Sequence, residues 1–172
     1  MRGDFFCRLV SSLYQNNFMK EQLLEAWRTS NNINLLFIDQ IDDESMQKSL
    51  YARGRTVYGQ FVHLHAVRLR WLEIVSKDIS NNYKLADTES GTDKKTLRTA
   101  FQFSGKSIEE LISQSWNKEG KLPNFKKGLI PFISYLIAHE AHHRGNILLT
   151  LKQTGIKIPE RLKWEAWDWN KI

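Results

Sequence analysis

Apolar residues recur at every third or fourth position in four long segments, a spacing that predicts amphipathic helices. The segments run from 19 to 41, from 56 to 77, from 93 to 116 and from 129 to 154. No stretch alternates as a strand would, and 3 prolines and 9 glycines interrupt the whole chain. We therefore expect an all-α protein, a four-helix bundle forming a single domain over residues 1–172, with its core at about 19–169.

Several residues predict where these helices begin, end or break. Thr56 is suited to cap the start of the second segment, and either Thr92 or Asp93 is suited to cap the third. Gly155 follows the fourth segment as a stop. Gly105 lies in the middle of the third segment, where it predicts a kink or a break. A preceding stretch, 4–14, predicts a short extra helix packed on the outside of the bundle.

The C-terminal stretch RLKWEAWDWN holds three of the six tryptophans. We expect this tail to pack back onto the bundle. Its tryptophans could line the mouth of a cavity, but aromatic side chains near helix ends usually pack, so we expect them to seal the core.

Composition and charge exclude several classes of protein. The net charge is +6, but the lysines are scattered and no nucleic-acid-binding motif appears, so nucleic-acid binding is not favoured. No apolar run approaches the ~20 residues that span a bilayer, and the N-terminus lacks the features of a secretory signal. The single cysteine, Cys7, cannot form an internal disulfide. These features predict a cytoplasmic protein without a membrane partner.

The fourth segment contains LIAHEAHHRGNILL, which brings charged groups and histidines onto a buried helix. His139 and His143 are one turn apart and flank the apolar stripe, whereas His142 points away from it. Two such imidazoles can share a metal ion, or they can be two ordinary core or rim histidines. Glu140 and Arg144 lie near the middle of the stripe, where charge is costly, and this favours a functional site.

The second segment, FVHLHAVRLRWLE, offers a third imidazole. His63 and His65 lie on opposite edges of its apolar stripe, so periodicity does not choose between them. Arg68 lies near the centre of the stripe, where it either extends along the rim or pairs with Glu140. Three histidine ligands with open positions are typical of a catalytic metal site, and they suit zinc, nickel, iron or copper.

The letters His139, Glu140 and His143 also match HExxH, in which two histidines bind zinc and the glutamate is a general base. Glu160 or Glu165 could in principle supply a third ligand, but both lie beyond the end of the helix. Zinc peptidases of this kind usually contain a sheet, which the pattern does not predict. This interpretation is therefore the least favoured.

Two blocks, GQFVHLHAVRLRWLE and HEAHHRGNILLTLKQTGIKIP, resemble the DinB/YfiT family of metal-binding four-helix bundles. The resemblance covers roughly residues 21–169. It implies an up-down-down-up topology, often a homodimer, and metal ligands at His63, His139 and His143. The choice of His63 over His65 rests on this resemblance. Asn146 stands where glutamine is more usual in the family.

The resemblance also implies a function. Family members with assigned activities are metal-dependent thiol transferases or isomerases, and others are described as hydrolases. We expect a small-molecule substrate, with a low-molecular-weight thiol as one candidate, and one divalent ion: zinc or nickel first, with iron, manganese or copper as alternatives. Glu140 is the candidate catalytic residue, with Arg68 and Arg144 supporting the site, and Cys7 is not expected to be a nucleophile. The alternative is a non-catalytic protein that binds a metal or a small ligand.

Overall fold

Helices account for the regular secondary structure in the computed structural model, which describes residues 2–81 and 93–172, and side chains within 15–79 and 93–172. No strand occurs in these ranges, so the all-α prediction is confirmed. The elements in chain order are α1 (Arg2–Gln40), α2 (Asp43–Met46), α3 (Val57–Val75), α4 (Lys77–Asn81), α5 (Lys94–Trp116), α6 (Leu129–Gln153), α7 (Glu160–Trp164) and a 3-10 turn at Glu165–Trp167.

Helices α1 and α5 pack antiparallel along their length. Arg28 pairs with Glu109, and Asp39, eleven residues further along α1, pairs with Arg98, eleven residues earlier on α5. These contacts can form together only when the two helices run in opposite directions. None of the helices in the described ranges combines the length and the apolarity needed to cross a bilayer.

Helices α3 and α6 are also antiparallel, whereas α3 and α5 run in the same direction. The indole N–H of Trp71 donates a hydrogen bond to the hydroxyl of Tyr135. Gln60 lies earlier on α3 than Trp71, yet it contacts His143, which lies later on α6 than Tyr135. Near the starts of α3 and α5, Phe61 packs edge-on against Phe101. The four long helices therefore run up, down, down and up in chain order, as the family resemblance implied.

Two apolar clusters fill the bundle, and a layer of buried polar residues crosses all four helices between them. The first cluster lies where α3 and α5 begin and includes Phe37, Phe61, Phe101 and Leu151. The second lies toward the other end and includes Trp27, Leu72, Ile108 and Phe132. Burial of this apolar area drives folding. The polar layer includes Asn31, Asn34, His65, Arg68, Ser104 and Glu140.

The predicted cap at Thr56 is confirmed, and of the two alternatives Thr92 and Asp93, Asp93 caps α5. The hydroxyl of Thr56 accepts a hydrogen bond from the backbone N–H of Gly59 at 3.0 Å. The carboxylate of Asp93 accepts from the N–H groups of two residues in the first turn of α5. Gly155 follows α6 with φ of 78°, a conformation that suits glycine at a helix end.

The prediction of a separate N-terminal helix at 4–14 is wrong. Helix α1 continues without a break from Arg2 to Gln40. Neither glycine nor proline occurs between residues 4 and 40, so nothing in the sequence terminates the helix. Cys7 lies on α1, but its side chain is outside the described residues.

Gly105 does not break α5, which runs uninterrupted from Lys94 to Trp116, so the predicted break is wrong. It lets α1 approach closely: a Cβ at Gly105 would lie 2.7–2.8 Å from the carboxamide atoms of Asn31. The indole N–H of Trp27 donates to the carbonyl oxygen of Gly105 at 2.9 Å. The glycine is therefore required by helix packing rather than by backbone conformation.

Replacing Gly105 with alanine should lower the free energy of unfolding by about 1–3 kcal/mol, since the added methyl group displaces a buried, hydrogen-bonded Asn31. Urea unfolding measures the change. Gly145→Ala is the matched control, because a Cβ there meets nothing within 4 Å on α6, and it should stabilise the protein by up to about 1 kcal/mol. Equal stability of the two variants would contradict the packing role.

The tryptophan-rich tail packs onto the bundle, as predicted, but not through its tryptophans. Leu162 and Ala166 are buried in the first apolar cluster. Trp164, Trp167 and Trp169 are 72%, 77% and 56% exposed. The prediction that these aromatics seal the core is wrong, because Leu162 and Ala166 occupy the buried face of the tail.

Candidate metal centre

Three imidazoles meet between α3 and α6. His63 faces His139 and His143 with ring centroids 5.6 and 4.9 Å away, and the centroids of His139 and His143 are 4.7 Å apart. One nitrogen from each ring lies within 4.8 Å of the other two. His143 is buried, and the other two rings are partly exposed. The three predicted ligands are therefore brought together.

Helical geometry explains how the three rings come together. His139 and His143 are separated by one turn of α6, so they share a face. The antiparallel packing of α3 against α6 places His63 opposite both.

Two neighbours, each one turn away from a ligand, orient the rings. Gln60 is buried one turn before His63, and its Oε1 lies 3.3 Å from Nδ1 of His143. With Nδ1 donating to this oxygen, Nε2 of His143 keeps its lone pair free. Tyr135, one turn before His139, stacks on it with ring centroids 6.0 Å apart.

The surroundings keep these imidazoles neutral. Burial lowers the pKa of His143 to about 4, with further lowering by the two neighbouring ligand rings. Burial also lowers the pKa of His63 and of His139. Since a metal ion binds the deprotonated imidazole, this protonation state suits coordination at neutral pH.

The donor set fits a divalent transition metal. Three neutral nitrogen donors suit zinc, nickel, copper or iron, and a three-residue set leaves positions for a water or a substrate. No acidic residue joins this group in the described part of the chain.

The sequence matches the DinB family over residues 13–163. The chain belongs to the DinB family. The crystal structure of a DinB-like protein from Bacillus cereus ATCC 10987 superposes with a TM-score of 0.56, at 17% identity, over 81% of this chain and 95% of that chain. At this identity the likeness shows the fold. No curated protein matches the sequence.

Beside the histidines, this DinB-family chain buries an ion pair in its polar layer. Arg68 and Glu140 are 0% and 1% exposed. Nε of Arg68 donates to Oε1 of Glu140 at 2.6 Å, and Nη2 donates to Oε2 at 3.0 Å. The carboxamide of Asn34 donates to Oε2 at 2.6 Å. The predicted pairing of Arg68 with Glu140 is confirmed.

Other residues of the polar layer accept the remaining hydrogen bonds of the Arg68 guanidinium. Its Nη1 donates to Asn31 Oδ1 at 2.8 Å and to Ser104 Oγ at 3.1 Å. Its Cζ lies 4.8 Å from the ring centroid of Trp27 and 4.7 Å from that of Phe101. The cation is thus held by hydrogen bonds and by two aromatic faces.

The structure does not bring Glu140 or Arg144 into the histidine group. Both carboxylate oxygens of Glu140 are engaged by the ion pair and by Asn34. Nη1 of Arg144 donates to Asn34 Oδ1 at 2.9 Å and contacts Ser30 Oγ at 3.4 Å. Both residues therefore connect α6 to α1, on a different face from the histidines.

The other histidines and glutamates weighed as ligands also lie outside the group. His65 is buried, with Nδ1 3.1 Å from Ser104 Oγ. His142 is exposed, as its position on the helix predicted. Glu160 and Glu165 form surface ion pairs within the tail. The choice that periodicity left open between His63 and His65 is thus resolved in favour of His63.

A pocket of about 280 Å³ adjoins His143. The loop before α3 and the later turns of α6 line it, with side chains that include Tyr51, Arg55, Gln60, His143, Asn146 and Thr150. Among the described residues that line this pocket, Arg55 is the one with a charged side chain. The pocket connects the buried His143 to the surface.

The sequence interpretation missed Gln60, Tyr135, Asn34 and Arg55. Gln60 and Tyr135 each precede a ligand by one helical turn, and that spacing was a usable signal. Asn34 lies on α1, where the apolar pattern alone marks no polar position as functional. Arg55 lies in a loop, where periodicity carries no information.

Proposed function

We propose that this DinB-family protein is a metal-dependent enzyme of the thiol S-transferase or hydrolase class, with one divalent ion held by His63, His139 and His143. The observation that carries the proposal is the convergence of three neutral imidazoles beside a pocket that reaches solvent. A set of three protein ligands is typical of catalytic rather than structural metal sites. Zinc or nickel is the metal we expect first, with iron, manganese or copper as alternatives.

A divalent ion in such a site supplies a Lewis acid that lowers the pKa of a water or a thiol and so provides a nucleophile at neutral pH. The side chains around the site orient the histidines and the substrate. With its proton on Nδ1, His143 donates to Oε1 of Gln60 and leaves Nε2 free for the ion, and Tyr135 stacks on the ring of His139. The pocket admits the substrate. In thiol transfer, a carbon–sulfur bond forms and the leaving group departs with its electron pair.

The zinc-peptidase interpretation is not proposed. Its general base would be Glu140, whose two oxygens are engaged by Arg68 and Asn34 in the interior. A homodimer and a cytoplasmic location stay predictions from the sequence.

The enzyme proposal is tested by removing and restoring the metal. Chelator-treated protein and protein reloaded with zinc or nickel are compared for conjugation of small thiols to chlorodinitrobenzene and for hydrolysis of an activated ester. Turnover should appear in the reloaded protein and fall at least about 100-fold on chelation, because the Lewis acid supplies several kcal/mol of stabilisation. His142→Ala should retain turnover. A fully loaded protein that is inactive with every thiol and ester would instead support the non-catalytic binding protein.

A further inference from the structure

We propose that the pocket beside the histidines selects anionic small molecules, and that Arg55 recognises their carboxylate. This inference rests on the proposed function, since it specifies a substrate class for the same site. It is carried by the position of Arg55, by the lack of an acidic partner for it among the described residues, and by the composition and size of the pocket.

Local structure fixes the backbone of Arg55 at the edge of the pocket. On one side, the N–H of Gly54 donates to the carbonyl oxygen of Tyr51 at 2.8 Å and closes a turn. On the other side, Thr56 caps α3 by accepting from Gly59. Arg55 therefore projects from a short, anchored segment between a turn and a helix cap.

No carboxylate in the described part of the chain neutralises the charge of Arg55. Arg28, Arg68, Arg98 and Arg161 each pair with a carboxylate, whereas Arg55 forms no ion pair with any described residue. Its side chain and His143 line the same pocket, so its positive charge acts on whatever occupies the space beside this histidine. A cation that faces neutral imidazoles favours a negatively charged occupant.

The composition of the pocket points to a single negative charge. None of the described residues lining it is acidic, and Arg55 is the one cation among them. A guanidinium binds a carboxylate through two parallel hydrogen bonds, which fixes orientation as well as charge. The volume of about 280 Å³ suits a compact molecule rather than a polymer. The geometry therefore fits a small carboxylate whose other end reaches the histidines.

The experiment uses cobalt-loaded protein and two matched probes, 3-mercaptopropionate and its neutral analogue 3-mercaptopropionamide. Changes in the visible absorption of cobalt measure the affinity for each thiol. At low ionic strength the carboxylate should bind about three- to tenfold more tightly than the amide, since it gains a charge-assisted pair with Arg55. Arg55→Gln should remove this preference, and Arg55→Lys should retain part of it. Arg53→Gln is the matched control and should leave the preference unchanged, because Arg53 is exposed on the same loop but does not line the pocket.

The possible outcomes separate this inference from the proposed function. Equal affinity for the two thiols, or a preference that survives Arg55→Gln, overturns the role of Arg55 while the metal site stands. Loss of the preference in Arg53→Gln also overturns it, by showing that general surface charge is responsible. Failure of the unaltered protein to bind cobalt overturns the proposed function itself, and the inference with it. The cobalt spectrum of each variant before thiol is added shows that its site is folded.

Discussion

Replacing His143 with alanine should weaken binding of a divalent metal by more than about 100-fold. Loss of a group that merely orients a ligand typically costs about 10–100-fold in metal affinity, so loss of the ligand itself should cost more. His143 is the buried member of the three and is oriented by Gln60. Its removal leaves two partly exposed imidazoles, which are a poor site for a single ion.

Elemental analysis after dialysis, followed by metal titration, measures this loss. His63→Ala should show a comparable loss although it lies on a different helix, because both rings contribute to one centre. His142→Ala is the matched control: it removes an exposed imidazole adjacent in sequence that is outside the group. If His63→Ala and His143→Ala both keep full metal content, the three-histidine assignment is wrong.

Replacing Glu140 with alanine should lower the free energy of unfolding by about 3–5 kcal/mol. The change leaves the guanidinium of Arg68 fully buried without its counter-charge, and it removes the acceptor of the Asn34 carboxamide. It also leaves Arg144 without a nearby negative charge, because Glu140 interacts electrostatically with that side chain. The loss therefore reflects an uncompensated buried cation more than the strength of one contact.

Urea unfolding at neutral pH tests this result. Arg98→Ala provides the comparison, since it breaks a pair with Asp39 in which both side chains are 41% exposed; it should cost no more than about 1 kcal/mol. A double variant, Arg68→Met with Glu140→Leu, should recover part of the stability, because the fully buried guanidinium of Arg68 is removed together with its counter-charge, whereas Arg144 still loses its negative neighbour. A loss below about 1 kcal/mol for Glu140→Ala would show that the interior rearranges or admits water.

The parts of the fold that depend on a single helix were predictable from sequence. The apolar stripe of α6, the caps at Thr56 and Asp93, and the shared face of His139 and His143 all follow from the angle between successive residues. These features need no knowledge of the neighbouring helices.

Features that depend on how helices are rotated against each other were not predictable in this way. His63 and His65 are equivalent on their own helix, and the packing of α3 against α6 separates them. Gly105 resembled a helix breaker because its partner, Asn31, lies 74 positions earlier in the sequence. The role of Arg55 depends on a loop conformation, on which helical periodicity has no bearing.

The partial exposure of His63 and His139 has a consequence for how the protein would acquire an ion. Two apolar clusters and the buried salt bridge hold the helices together independently of any metal, so an ion would exchange with the surrounding solution while the bundle stays folded. Occupancy would then follow the supply of free ions and their intrinsic order of affinity, in which copper exceeds nickel and zinc. The site itself would then select weakly among metals. The ion that is bound would depend on which free metal ions the surrounding compartment contains.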